Sequence, residues 1–141
     1  MPLIGGGGAG NIAGGANPAG TGSGLNYIGD HCYAYSGIVA SAGSQSAATT
    51  STLLFTTGNS YAKVIVTFSN NNISATANEY YEIKFDSQVV YKAENEHGID
   101  TVTNPTLVHM IIPPYTTVQT FVGSSADAYD HTTIITGRVY A

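Results

Sequence analysis

From Asp30 to the C-terminus, apolar and polar residues alternate with a period of two, and no stretch offers a convincing 3.6-residue period. That alternation sends successive side chains to opposite faces of a strand. It predicts eight strands, near residues 32–40, 49–57, 61–69, 79–85, 89–94, 106–112, 116–122 and 131–140. Between them lie SAGSQSA, GNS, NNNISATA, NEHGIDTVTN, PPY and GSSADAYD, rich in the residues that turns need. In AKVIVTFS, Ala62, Val64, Val66 and Phe68 share one face, with Lys63, Thr67 and Ser69 on the other. In YYEIKF, Tyr81, Ile83 and Phe85 point inward while Glu82 and Lys84 point outward. Short strands without helices between them indicate an antiparallel sandwich or barrel.

The joint between the fourth and fifth predicted strands admits two registers. A two-residue turn at Asp86-Ser87 pairs Ile83 with Val90 and puts Tyr91 on the face of Glu82. A three-residue loop, Asp86-Ser87-Gln88, pairs Phe85 with Val89, Ile83 with Tyr91 and Glu82 with Lys92. The second unites the apolar face and opposes unlike charges, so it is the one predicted. Its weak point is Gln88, where such loops favour Gly. Eight strands suit an all-β, jelly-roll-type sandwich. They also suit an immunoglobulin-like sandwich, but the Cys…Trp…Cys core of that fold cannot be built from one Cys and no Trp.

The N-terminal region breaks this pattern. Ten of the seventeen glycines fall in the first 24 residues, and no charged residue precedes Asp30. Gly5, Gly7 and Gly10 have the spacing of a dinucleotide-binding turn, with Asp30 about twenty residues on. Only Met1 to Ile4 precede the motif, however, and the glycines and Pro18 that follow forbid a stable helix. No Gly-Lys-Ser/Thr follows to make a P-loop. The expected division is an extended arm over residues 1–25 and a β-domain over 26–141. Ordering 24 residues costs roughly 24–48 kcal/mol. Met1, Leu3, Ile4, Ile12 and four alanines cannot offset that alone. The arm, with Leu3, Ile4, Gly5, Gly6, Gly7, Gly8, Gly10, Ile12, Gly14, Gly15, Pro18 and Gly20, is therefore expected to lodge against other chains, where glycine permits close backbone approach.

Charged residues make up 9% of the chain, against a usual figure of about 25%. The four Lys and Arg do not cluster along the sequence, so no nucleic-acid footprint is expected; the net charge is −5. So sparse a charge pattern suits a surface covered by neighbours. Cys32 is alone and is expected as a small buried hydrophobe, without an intramolecular disulfide. The start of the chain has neither a basic n-region nor an apolar h-region, so no signal peptide is expected, and no run of 18 apolar residues spans a membrane. Asn72-Ile73-Ser74 fits the glycosylation triplet but is expected to be an ordinary loop.

Candidate chemistry is thin. Asp30-His31, Glu96-His97 and Asp130-His131 are acid–His neighbours, yet neighbours on a strand face opposite ways. Ser36 lacks the strand-to-helix elbow of a nucleophilic serine. The loop from Glu94 to Asp100, and Asp127 with Asp130, lack calcium or zinc spacings and read as solvated acidic loops. No catalytic residue, metal site or cofactor is predicted, and the chain is expected not to be an enzyme. His109, inside TLVHMII, reads as a core or interface histidine. Tyrosine stands out, ten against four Phe and no Trp. Tyr27, Tyr33, Tyr35, Tyr80, Tyr115 and Tyr129 are the expected interface or ligand tyrosines, because tyrosine joins rigid contact area to a polar tip.

The arm IGGGGAGNIAGGANPAGTGSGLNYIGDH, followed by YAYSG, TLLFTTG, IIPPYT and the closing ITGRVY, resembles small virion-associated proteins of environmental tailed phages, including marine ones. The likeness runs over nearly the whole chain. It implies a structural part of the particle: a capsid decoration or cement protein, a minor capsid protein, or a fibre-like head protein, with no catalytic residues to carry over. The partners it implies are further copies of the chain, a trimer among the options, and the major capsid or other virion proteins, reached through residues 1–25. Neither nucleic acid nor membrane is an expected partner. The expected location is the virion, assembled in the host cytoplasm. Two alternatives stand beside it. One is a host-recognition module on a head or tail fibre, binding surface glycans through Tyr-rich loops. The other is a self-assembling extracellular filament that exchanges its arm by strand addition, against which the missing signal peptide counts.

Overall fold

A computed structural model describes residues 22–71, 77–96, 106–126 and 128–140. The arm residues Leu3 to Gly20 lie outside these described residues, as do Asn72-Ile73-Ser74, His97 to Asp100 and Asp127. The described chain is all-β and entirely antiparallel, with its strands in two sheets. One is six-stranded, with β1 (Gly22–Ile28), β2 (His31–Ser36), β10 (Asp130–Tyr140), β5 (Tyr61–Asn70) and β8 (Thr106–Ile112) in that order, and the short β3 (Val39–Ala40) also paired with β10. The other runs β4 (Thr50–Thr56), β9 (Thr117–Ser124), β6 (Asn78–Phe85), β7 (Gln88–Glu96).

Eight strands were expected, and the described residues form ten. The segment expected as one strand over 32–40 is two, β2 and β3, interrupted at Gly37 and Ile38. The other addition is β1, which runs through the expected arm boundary at Leu25. Its sequence, GSGLNYI, has two glycines and poor strand propensity. The ladder with β2 supplies what propensity does not. Gly29, at φ 61, occupies the first turn position between Ile28 and His31, where a two-residue hairpin of this kind asks for glycine. A register shift between Ser23 and Asn26 accompanies the complete burial of Leu25 in the core.

One apolar cluster fills the space between the sheets. The six-stranded sheet supplies Leu25, Cys32, Ala34, Val64, Val66, Phe68, Val108, Ile112 and Ile135; the other supplies Leu53, Phe55, Tyr81, Ile83, Val118 and Val122. The predicted faces of β5 hold: Ala62, Val64, Val66 and Phe68 are buried, and Lys63 is exposed. Cys32 is buried as expected, and burial pushes its thiol up to about 11.

The β6–β7 hairpin combines both registers considered above. Ile83 pairs with Tyr91 and Glu82 with Lys92, as predicted. Phe85, however, pairs with Gln88 rather than Val89, so the turn has two residues, Asp86 and Ser87, both left-handed at φ 47 and 69. A turn with two such residues matches the twist of the strands. A bulge at Val90, opposite Ile83 and Lys84, takes up the leftover residue; it restores the predicted face from Ile83 and Tyr91 onward and leaves Val89 opposite Lys84. The Asp86 carboxylate accepts a hydrogen bond from the Thr117 N–H at 2.8 Å, tying this turn to β9. Glu82 makes its ion pair not across the strands but with Lys84, at 3.0 Å, while the Lys84 ammonium stands 4.6 Å from the centre of the Phe121 ring.

Candidate interaction face

The outward side chains of the six-stranded sheet fall into rows, because antiparallel partners share a face. His31, Arg138, Lys63 and Ile111 stand side by side across β2, β10, β5 and β8. The next row is Tyr33, Thr136, Ile65 and His109, and the one after it Tyr35, Ile134, Thr67 and Leu107. Tyr140 faces Tyr61 beyond the first row, and β1 adds Ile28 beside His31. Among the described residues eleven large apolar or aromatic side chains are exposed, and seven are on this one face: Ile28, Tyr35, Tyr61, Leu107, Ile111, Ile134 and Tyr140. Ile28 and Ile111 are 65% and 60% exposed, values at odds with a surface meant for water.

A shallow depression of about 520 Å³ lies on this face, lined by His31, Lys63, Ile65, His109, Thr136, Arg138 and Tyr140, with Val64 and Gly137 as its floor. Two of the chain's four Lys and Arg meet here, so cations scattered in sequence become neighbours in space. Like charges directly opposite each other weaken a sheet. Among the described residues neither Lys63 nor Arg138 has a carboxylate within ion-pair distance. At the rim, Asp30 holds His31, with Oδ1 and Nδ1 2.8 Å apart and both side chains well exposed. This corrects the expectation that the two face apart: Asp30 belongs to the turn, not the strand, and is free to reach back.

The candidate tyrosines separate. Tyr33 and Tyr35 are on the outer face; Tyr27 packs against the core, and burial raises its hydroxyl pKa. Tyr80 is buried, Tyr129 half-buried beside Ser41, and Tyr115 stands 73% exposed at φ 54 on the loop after Pro113 and Pro114. His109 is exposed on the outer face rather than in the core. The sequence alone does not single out Arg138, Tyr61, Leu107, Ile111 or Ile134, and it gives Lys63 only an outward-facing position. The run TLVHMII shows no alternation to separate its faces, and the β5–β10 and β5–β8 pairings join segments far apart in the chain.

A second cluster is internal. His131 and Glu79 are fully buried, with Nε2 of His131 3.5 Å from Glu79 Oε2 and 3.2 Å from Ser41 Oγ. Serine and carboxylate thus approach the same ring nitrogen, whereas a nucleophile–base–acid relay needs them on opposite nitrogens. Asp130 is exposed while His131 is buried, as strand alternation requires. Beside this cluster, Thr52 of β4 bonds Thr120 of β9 at 2.7 Å and Thr133 of β10 at 2.9 Å, a hydroxyl bridge between the two sheets. At the end of β7, Glu94 accepts from Asn78 at 2.7 Å, and Asn95 donates to Thr106 at 2.8 Å. Among the described residues no three His, Cys, Asp or Glu side chains converge in a metal-holding group. No protein-family model matches the chain, and no curated protein matches it.

Proposed function

We propose that the chain is a non-enzymatic structural protein of a virus particle, a capsid decoration, cement or minor capsid subunit that uses its N-terminal arm and its sheet face to hold neighbours. The observation that carries this reading is the outer face of the six-stranded sheet, where seven large apolar or aromatic side chains await a cover. A chain with 9% charged residues and a net charge of −5 gains more from burying such a face than from solvating it. The resemblance to virion-associated phage proteins points the same way.

We also read the sandwich as a jelly roll. With β1 and β3 set aside, β2 pairs β10, β4 pairs β9, β5 pairs β8 and β6 pairs β7, the nested pairs of one long hairpin rolled over itself. In this reading β1 is an added edge strand that leads directly from the arm to the interaction face.

The test is a truncation that stops at residue 21, since Leu25 belongs to the core. The shortened chain should keep its β circular dichroism and lose incorporation into particles; undiminished incorporation would overturn the reading. The alternative, a glycan-binding fibre module, draws on Tyr140, His31, Lys63 and Arg138 around the depression. Saturable binding of the full chain on a glycan array would favour it.

A further inference from the structure

We propose that the outer face of the six-stranded sheet is the contact between copies of this chain, and that Lys63 and Arg138 of one copy meet carboxylates of the next. The proposal rests on the assembly reading above and names the partner of that surface. Three observations select a second copy as the occupant. Lys63 and Arg138 stand opposite each other without a carboxylate within ion-pair distance among the described residues, an arrangement that calls for acid from outside. Because a self-paired face meets its own copy, the acid offered to these cations is the acid that this face itself presents. The face carries its own acid at the rim, Asp30, whose side chain is 62% exposed. A surface with both signs and several large apolar side chains can pair with itself, as closed symmetric assemblies require.

The size is adequate. Five strands about 4.8 Å apart, each contributing some six residues at about 3.3 Å, present a plane on the order of 500 Å². Side-chain relief raises the accessible area above that projection, toward the roughly 800 Å² per partner of a standard specific contact. Lys63 and Arg138 stand in the interior strands, with Tyr61 and Tyr140 beyond them in one direction and Ile134 two rows away in the other, so large apolar and aromatic side chains flank the cations on both sides.

Analytical ultracentrifugation of the full chain over a micromolar concentration series tests this. The wild type should form a discrete oligomer. Ile134→Asp and Leu107→Asp should weaken association by at least about tenfold. Arg138→Glu should weaken it too, most at low salt, where charge pairing counts for more. Val89→Asp, exposed on the other sheet, should leave it intact. Circular dichroism checks that each variant folds, and Leu107→Ser replaces any that does not. A monomeric wild type, or association that survives the face variants, overturns the proposal; so does equal loss in Val89→Asp, or a saccharide that competes with association. If the chain is monomeric alone yet Leu107→Asp blocks particle incorporation, this inference fails and the virion reading stands. If the chain associates through this face but never enters a particle, the reverse holds.

Discussion

His131 is completely enclosed, and burial holds its imidazole down to about 4, against 6.5 in the unfolded chain, with Asp130 acting weakly in the other direction. The folded protein thus keeps the ring neutral at a pH where the unfolded chain protonates it. The His131 contribution to stability is complete above pH 6.5 and is lost as pH falls toward 4, by up to about 3 kcal/mol. Urea unfolding across that window should show the decline, and His131→Phe should flatten it; an unchanged slope in the variant contradicts the assignment. Ser87 makes the opposite case. It sits at φ 69, which costs an L-residue about 1–2 kcal/mol and glycine almost nothing. Ser87→Gly should raise stability by about 0.5–1 kcal/mol in chemical denaturation, after glycine's larger unfolded-state entropy is counted. Gly137 allows no such freedom, because a Cβ there would be driven into the backbone carbonyl of Lys63. Gly137→Ala should cost at least about 2 kcal/mol by the same measurement.

At the scale of elements, the sequence was legible wherever one face of a strand is buried and the other is not. The alternation in β5 follows from that rule; the register of β6 against β7 at Glu82 and Ile83 comes from matching unlike charges and apolar partners, although β6 is buried from Glu79 to Ile83 and Glu82, expected outward, is buried with it. The rule failed where local signals were weak or shared. β1 depends on its partner strand and on Leu25, and the β6–β7 turn divides its extra residue between a tight turn and a bulge, which local spacing does not reveal. The candidate face was the least legible part, because it is assembled from three non-consecutive pairings whose partners lie up to about a hundred residues apart. The hydroxyl bridge from Thr52 to Thr120 and Thr133 was likewise hidden, since threonine in a strand reads as an ordinary β former. It also gives an element-level prediction. Thr52→Val strands two buried hydroxyls and should cost about 1–3 kcal/mol. Changing all three threonines to valine removes the donors and acceptors together and should cost less than the sum of the single changes. Simple additivity would mean that the three do not act as a network.

The whole molecule sets a packed apolar interior against an uncovered outer face. Both sheets meet in one apolar core, while the outer side of the larger sheet holds seven of the eleven exposed large apolar or aromatic side chains among the described residues, together with two cations that have no carboxylate within ion-pair distance among those residues. That asymmetry is the physical basis of the assembly proposed above, in which the arm and the face would share one task, since β1 follows the arm in sequence and pairs into this sheet. A density map of the assembled particle, at a resolution that distinguishes the two sheets, tests this most directly. The account predicts the sheet containing β1, β2, β10, β5 and β8 turned toward protein, with Leu107, Ile111 and Ile134 covered. That sheet facing open solvent, with its rows bare and the four-stranded sheet making the contacts, would contradict it.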